Sequence, residues 1–219
     1  MQLNTAVARS EGVIIQTNKL IKNTYILLSM TLMFSAVTAF LSISLQASFG
    51  TAFVATIVGI VMLWFVLPRT ANSAAGIPVL FGITGLLGFG LGPMISHYLT
   101  VNPSIVMTAL GGTGAIFLGL SGYALTTRKD FSFMGGFLAV GLLVVIGAMI
   151  LNIFFAMPAM FLAVNAAIVM IMSGMILFQT SSLIHGGETN YIMATAGLFL
   201  SLLNMFTALM HLLGALGRD

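Results

Sequence analysis

The sequence predicts an all-α integral membrane protein, a bundle of seven transmembrane helices with the seventh helix at its centre. Three features support this fold class: the composition, the number of long apolar runs, and the polar residues inside the last run. Of the 219 residues, 59% are hydrophobic and 5% are charged, whereas a soluble domain carries about 25% charged residues. The mean hydropathy is +1.15. Lipid is therefore the solvent for most of the chain.

Seven apolar runs have about the 20 residues that a helix needs to cross a bilayer. The breaks between them are short and contain proline, glycine, serine or charged residues. The runs cover residues 25–45, 49–67, 77–97, 105–126, 133–155, 159–183 and 191–216. These runs predict a transmembrane domain over residues 25–216.

The chain ends flank this domain as short polar segments. Residues 1–24 lack an apolar stretch of their own, which predicts a cytoplasmic N-terminal tail and not a cleaved signal peptide. Residues 217–219 form the predicted external C-terminus. The 219 residues leave no room for a separate soluble domain.

The distribution of cations predicts the orientation of the bundle. If the N-terminus is cytoplasmic, one side of the membrane receives almost all of the Lys and Arg residues, as the positive-inside rule requires. These residues are Arg9, Lys19, Lys22, Arg69, Arg128 and Lys129, and only Arg218 falls on the other side. The loops near Ala47, Asn102 and Met157 carry no charge. The net charge of +3 is thus a topology signal and does not indicate a nucleic-acid partner.

The seventh run carries a small, polar face. Gly197, Ser201, Asn204, Ala208 and His211 follow one another at steps of four, three, four and three residues, so they share one side of a helix. A polar stripe is costly in hydrocarbon unless it meets protein or water. We therefore expect this face to be buried and the seventh helix to be central.

Glycines and asparagines predict how the helices pack. Small residues let helix backbones approach closely in lipid. The third run contains Gly82, Gly85, Gly88, Gly90 and Gly92, and the fourth contains Gly111, Gly112, Gly114, Gly119 and Gly122. The Gly92-Pro93 pair predicts a kink or break in the third helix. Asn152, Asn165 and Asn204 predict interhelical hydrogen bonds, with a solute path as the less favoured alternative.

One segment matches a catalytic motif, but its depth argues against catalysis. Residues 119–122 read G-L-S-G, which resembles the G-x-S-G of rhomboid intramembrane proteases, and His211 is a conceivable base. Helix rise places Ser121 roughly 24 Å below the outer face and His211 near that face. A nucleophile and its base must lie about 3 Å apart. Ser121 is therefore interpreted as a small packing residue.

Other enzyme classes have even less support. No acidic residue lies inside an apolar run, which excludes a membrane aspartate pair. The three histidines fall in different layers and the chain has no cysteine, so no metal cluster and no thiolate site is expected. The sequence predicts no enzyme, no metal and no cofactor.

The predicted cytoplasmic loops hold the polar groups that a partner on that side would contact. These are Arg69, Arg128, Lys129, Asp130, His185 and Glu188. Residues 22–25, 125–133 and 185–192 carry motifs that resemble the Bax inhibitor-1 family, specifically its enterobacterial branch, and the resemblance covers essentially the whole chain. It implies a seven-helix bundle in the bacterial inner membrane with the last helix at its centre.

The resemblance implies two possible functions. The enterobacterial branch is associated with the membrane-anchored AAA protease FtsH, as a slowly degraded substrate that competes with other membrane proteins. Other members are pH-sensitive calcium-leak proteins whose latch depends on two aspartates. At the two matching positions this chain has Gln179, within F-Q-T, and Ser201, within L-F-L-S-L-L-N.

Neither replacement titrates near neutral pH, so a latch operated by protons cannot work here as it does elsewhere in the family. We therefore expect a modulator whose partners are an FtsH-type protease and the lipid bilayer. The calcium leak is the alternative, and whether calcium crosses is left open.

Overall fold

The computed structural model describes residues 2–217, with side-chain surroundings from Ile15 onward. Within this part of the chain, seven helices are long and apolar enough to cross a membrane, and no strand is present. They are α1 Gln2–Ser44, α2 Phe49–Thr70, α3 Gly76–Val101, α4 Pro103–Thr127, α5 Met134–Phe155, α6 Pro158–His185 and α7 Tyr191–Leu216. The predicted seven-helix fold is confirmed. The side chains of Arg9 and Arg218, and the chain end beyond Gly217, lie outside the described residues.

The first helix begins earlier than the apolar run indicates. It starts at Gln2 and continues without a break into the first span, so the N-terminal segment is not an irregular tail. Burial nevertheless starts near the predicted boundary, because Ile15 is 67% exposed and Thr24 is fully buried. Polar sequence ends an apolar run, but it does not end a helix that contains good helix formers.

Two prolines are accommodated without ending their helices. The second span continues past Pro68 to Thr70, and it contains a π-helical turn at Met62–Val66 just before that proline. The chain does not break at Pro93, because α3 runs through it to Val101; the kink, which was the other expectation for Gly92-Pro93, stays a prediction. Proline removes one backbone donor, and neighbouring helices can maintain a transmembrane helix around such a defect.

The seventh helix is central. In its most apolar stretch 61% of the residues are buried, compared with 11% for α5, and it contacts α1, α3, α4 and α6. Leu198, Phe199 and Met205 are at most 1% exposed and belong to the largest apolar core cluster. The prediction of a central last helix is confirmed.

The glycines of α3 form close contacts with α1 and α2. A Cβ added at Gly88 would overlap the backbone oxygen of Ser35 and lie 2.6 Å from Thr38 Oγ1, and one at Gly92 would overlap the Ser42 side chain. A Cβ at Gly90 would overlap Thr56 of α2. We call the contact of Gly85, Gly88 and Gly92 with α1 the α1–α3 seam. The expected close packing is confirmed here, and the partners are α1 and α2.

The glycines of α4 behave differently. A Cβ added at Gly111, Gly114, Gly119 or Gly122 would meet no atom within 4 Å, and one at Gly112 would make an ordinary contact with Leu209. The expectation of close packing through this helix is therefore wrong for four of its five glycines. Gly111, Gly119 and Gly122 are exposed, and Gly114 is half-buried without a side chain packed against it.

Candidate functional site: polar contacts between the helices

Helix connections divide the bundle into two ends of different character. We call the end that contains residues 71–75, 128–133 and 186–190 the charged end, and the end that contains residues 45–48 and 156–157 the uncharged end. Most of the interhelical polar contacts lie toward the charged end, which the cation distribution predicts to be cytoplasmic.

Gln179 and Ser201, the two positions to which the family resemblance pointed, lie in direct contact. Ser201 Oγ is 3.2 Å from Gln179 Oε1 and 3.2 Å from its own helix at the Gly197 carbonyl, so its hydroxyl can donate to either oxygen. A Cβ added at Gly197 would lie 3.1 Å from Gln179 Nε2, which explains why a glycine stands where the amide packs on α7. Ser201 is 2% exposed. The contact between α6 and α7 is a neutral amide–hydroxyl pair that gains or loses no proton near neutral pH.

A second polar cluster joins three helices beside this pair. The hydroxyls of Tyr25 on α1, Ser121 on α4 and Thr180 on α6 form a triangle. Its sides are 2.6 Å from Tyr25 to Ser121, 3.3 Å from Tyr25 to Thr180, and 3.2 Å from Ser121 to Thr180. Ser121 and Thr180 are buried. We call this the hydroxyl triangle.

The hydroxyl triangle gives Ser121 a role that the sequence did not show. Its partners are other hydroxyls, whereas His211 Nδ1 lies 3.2 Å from Asn165 Oδ1. Ser121 and His211 thus have separate partners, and the protease interpretation fails on geometry. Tyr25 and Thr180 were not recognised beforehand, because tyrosine and threonine at the ends of spans are ordinary packing residues.

The loop after α4 is held to α6 by one serine. Ser181 Oγ accepts the Phe131 N–H at 2.9 Å and lies 3.4 Å from the Lys129 carbonyl and 3.5 Å from Asp130 Oδ1. His185 Nδ1 lies 3.3 Å from the same hydroxyl. Three of the predicted loop residues, Lys129, Asp130 and His185, are therefore brought together around Ser181.

Asp130 is ionised in this arrangement. The hydroxyl and the amide of Ser132 donate to its carboxylate and hold the pKa of Asp130 below its ordinary value, and the nearby His185 acts in the same direction. A lowered folded-state pKa stabilises the loop above about pH 4, and this contribution is lost as the pH falls through that pKa. Asp130 therefore does not act as a switch near neutral pH.

The remaining loop residues have local partners. Glu188 Oε1 accepts the N–H groups of Thr189 at 2.8 Å and Asn190 at 2.7 Å. The Arg69 guanidinium donates to the Phe65 carbonyl of its own helix. Arg128 is exposed and ends α4 in the left-handed region with φ of 50°. These three predicted residues do not converge on one site.

Asn190 joins two loops at the charged end and was not singled out beforehand. Its Oδ1 caps α7 by accepting the N–H of Ile192 at 2.8 Å. Its Nδ2 donates to the Ala71 carbonyl at 3.1 Å and to Asn72 Oδ1 at 2.8 Å. An Asn before an apolar run is a recognisable helix cap, but its second partner could not be seen from the sequence.

The predicted polar face of α7 is only half buried. Ser201 and Ala208 are at most 2% exposed, as expected. Asn204 is exposed, and its Nδ2 donates to the Leu200 carbonyl of its own helix at 2.9 Å, so the expectation that it is buried is wrong. His211 is partly buried beside Phe161, with ring centroids 5.1 Å apart.

Helical geometry explains this division. At about 100° per residue, Ser201 and Ala208 lie on one side of the stripe, and Asn204 and His211 lie on the other. The edge of the buried surface runs between them. Asn204 remains satisfied because the carbonyl one turn earlier accepts one of its hydrogen atoms.

Only one of the three asparagines joins two helices. Asn165 on α6 lies 3.2 Å from His211 on α7, and it also donates to the Phe161 carbonyl at 2.8 Å. Asn152 Oδ1 accepts the Met157 N–H at 3.0 Å and so stabilises the loop after α5. The expected interhelical bond is therefore confirmed for Asn165 alone.

Among the residues that the structure describes, no group of three or more His, Cys, Asp or Glu side chains could hold a metal ion. The polar sites consist mainly of hydroxyls, amides and backbone groups, together with Asp130 and His185 beside Ser181 and with His211 beside Asn165. Such groups can position helices and loops.

Seven apolar helices, with α7 at the centre and a polar contact between α6 and α7, define a multi-pass membrane protein of the seven-helix bundle class. A family profile described as "Inhibitor of apoptosis-promoting Bax1" matches residues 17–218, and the chain belongs to this family. The resemblance seen in the loop motifs is thereby confirmed.

Several relatives match along nearly their whole length. The chain is 47% identical over 207 residues to "Modulator of FtsH protease YccA" of Escherichia coli (strain K12), which covers 94% of each chain. The same values hold for "Inner membrane protein YccA" of Escherichia coli O6:H1. It is 44% identical to "Uncharacterized membrane protein" of Vibrio cholerae, over 94% of this chain and 93% of the relative.

Proposed function

We propose that this protein modulates an FtsH-type membrane protease in the bacterial inner membrane, as a substrate that is degraded slowly and so competes with other substrates. The observation that carries the proposal is the 47% identity, over 94% of both chains, to a protein named as a modulator of that protease. The contacts of α1 supply a physical account of slow degradation.

The N-terminal part of α1 is the segment best suited to be gripped from the cytoplasm. Ile15 is 67% exposed and Lys19 is exposed, whereas Thr24 is fully buried. Residues 15–19 are therefore largely free of the bundle, whereas Leu20 and Ile21 already pack against its core. The other segments at the charged end are loops of only a few residues. A processive ATPase needs an unpacked segment to engage, and we assign that role to residues 1–24.

Pulling on this segment would load polar contacts first. The Thr24 carbonyl accepts the Thr195 hydroxyl of α7 at 3.2 Å, and the next residue, Tyr25, belongs to the hydroxyl triangle. Beyond them lies the α1–α3 seam, in which the glycines of α3 lie directly against side chains and backbone of α1. Forced unfolding is governed by the unfolding rate. Contacts at the point of entry would therefore prolong the time that the protease spends on this chain.

A pH-sensitive calcium leak is the second candidate, and we favour it less. Its latch in other family members depends on two carboxylates, and the pair here is Gln179 with Ser201. A neutral pair provides no protonation step for gating near pH 7. The localisation that accompanies the modulator proposal is the inner membrane, with the N-terminus in the cytoplasm and the C-terminus in the periplasm.

Deleting residues 2–16 tests the proposal, because the deletion removes the segment to be gripped and retains Lys19 and Lys22, which orient the first span. Turnover of the shortened chain is measured by pulse-chase in cells with and without the protease. We expect protease-dependent turnover to be lost, and we expect a second membrane substrate of the protease to be degraded faster. The matched control replaces residues 2–16 by the same residues in scrambled order.

Unchanged protease-dependent turnover of the shortened chain, inserted normally in the membrane, contradicts this mechanism. Co-purification with the tagged protease from native membranes separates the two candidates. A modulator must be recovered with its protease, whereas a leak protein has no need of that partner.

A further inference from the structure

The connection between α4 and α5 lies exposed at the charged end, and it leads into the least buried helix of the bundle. All of residues 128–133 are exposed except Phe131, which is half-buried. Only 11% of the most apolar stretch of α5 is buried. Within the described part of the chain, α6 is the one helix with which α5 makes more than marginal contact. Segments with so few packing contacts are the ones that open locally.

One buried hydroxyl fixes the backbone of this connection. Ser181 of α6 is 1% exposed, and its Oγ accepts the Phe131 N–H at 2.9 Å. The same atom lies 3.4 Å from the Lys129 carbonyl oxygen and 3.5 Å from Asp130 Oδ1, so its own hydrogen can also be donated to the connection. We call the contact of Ser181 with residues 129–131 the Ser181 clasp.

The Ser181 clasp also holds the beginning of α5. The Phe131 carbonyl accepts the Met134 N–H at 3.0 Å, so Phe131 belongs to the turn that leads into this helix. Beyond the turn, α5 meets α6 through small and apolar contacts, such as Leu138 against Gly174. Among the described residues, every hydrogen bond that joins the connection to α6 involves Ser181.

Release of the clasp would give a cytoplasmic ATPase another segment to grip. The connection itself is only six residues long, from 128 to 133. However, the beginning of α5 has few contacts that keep it in place, so it can move away from α6 together with the connection. With the clasp closed, the backbone of residues 129–131 stays bound to a buried atom and cannot be drawn into a pore.

We propose that the Ser181 clasp is an autoinhibitory contact, which denies an FtsH-type protease a second starting point for degradation at the connection between α4 and α5. Degradation can then begin only at the N-terminal segment. This inference rests on the proposed function and adds to it that slow degradation depends on a guarded internal loop as well as on the contacts of α1.

Trypsin tests the clasp on the purified protein in mild detergent, without the membrane protease. Arg128 and Lys129 place two trypsin sites in the connection, and Arg69, at the same end of the bundle, provides a reference within the same molecule. We expect Ser181→Ala to speed cleavage after Arg128 and Lys129 about fivefold relative to Arg69, because an ordinary hydrogen bond shifts a local opening equilibrium by about that factor.

Ser173→Ala is the matched control for this measurement. Ser173 lies on the same helix, and its hydroxyl donates to the Val169 carbonyl of that helix, so its loss should leave cleavage in the connection unchanged. No acceleration in Ser181→Ala, or an equal acceleration in Ser173→Ala, overturns the proposal. An equal rise at Arg69 would mean that the whole bundle has loosened, and it overturns the proposal as well.

A second experiment places Ser181→Ala in the chain that lacks residues 2–16 and follows its turnover in cells. We expect protease-dependent turnover to rise about threefold over the shortened chain with Ser181 intact, because the internal starting point is then open. Asn152→Ala is the matched control. Asn152 Oδ1 accepts the Met157 N–H at the other end of α5, on the side that the cation distribution predicts to be periplasmic.

The outcomes separate this inference from the proposed function. If the full-length chain is degraded by the protease but Ser181→Ala leaves the shortened chain stable, the clasp proposal is overturned and the proposed function stands. An equal rise with Asn152→Ala would mean that only the stability of α5 matters, and it also overturns the clasp proposal. Turnover of the full-length chain that does not depend on the protease overturns the proposed function itself.

Discussion

Gly88→Ala should destabilise the bundle more than an alanine at an exposed glycine. The added methyl group would overlap the backbone oxygen of Ser35 and lie 2.6 Å from Thr38 Oγ1. A side chain could rotate away, but a backbone oxygen in the middle of α1 moves only if the helix moves. Overpacking of this kind costs about 1–3 kcal/mol.

The substitution also brings a gain, because alanine is favoured over glycine inside a helix by about 0.5–1 kcal/mol. We therefore expect a net loss of about 1–2 kcal/mol for Gly88→Ala. Gly111→Ala is the matched control, since a Cβ there meets no atom within 4 Å and only the gain applies. The two variants should differ in free energy of unfolding by about 2 kcal/mol.

Unfolding in mixed detergent micelles of increasing SDS content, followed by far-ultraviolet circular dichroism, measures this difference. Under the proposed function, the Gly88→Ala chain should also be degraded faster in cells. The reasoning about the α1–α3 seam is refuted if Gly88→Ala is as stable as Gly111→Ala under the same conditions.

Three further predictions concern the polar contacts. Tyr25→Phe should speed protease-dependent turnover about two- to fivefold, since interhelical hydrogen bonds in membranes average about 0.6 kcal/mol and Tyr25 makes two. Pulse-chase measures the turnover, and the control Tyr123→Phe should leave it unchanged, because Tyr123 is 45% exposed. Calcium flux into liposomes that contain the wild-type protein should be low and independent of pH between about 6 and 8. Only the double change Gln179→Asp and Ser201→Asp should introduce a pH dependence. A steep pH dependence of the wild-type flux would mean that other residues gate it. Asn204→Leu should leave the free energy of unfolding in SDS titrations unchanged or raise it by less than about 1 kcal/mol, because Asn204 is exposed. A marked fall in this free energy would mean that this side of α7 is buried in an assembly.

The seventh helix illustrates how far sequence periodicity reaches. Its polar stripe led to the correct conclusion that α7 is central, since 61% of its apolar stretch is buried. It did not reveal that the edge of the buried surface divides the stripe, with Ser201 inside and Asn204 outside. A periodic pattern identifies residues that share a face, and the neighbouring helices decide how wide the buried face is.

The candidate site was partly visible in advance. The family resemblance pointed to Gln179 and Ser201, and the structure places them 3.2 Å apart. The hydroxyl triangle was not visible, because Tyr25, Ser121 and Thr180 come from three helices. Contacts between residues distant in sequence depend on the order in which the helices pack.

By itself, the sequence determined the number of spans and the membrane as solvent, because both follow from composition and from the length of apolar runs. Only the tertiary structure decided which glycines make close contacts. Gly88 lies against α1, and Gly111 on the neighbouring span has open space around it. The physical reason is that lipid is as apolar as the protein interior, so in a membrane the hydrophobicity of a residue does not reveal whether it faces a helix or the bilayer.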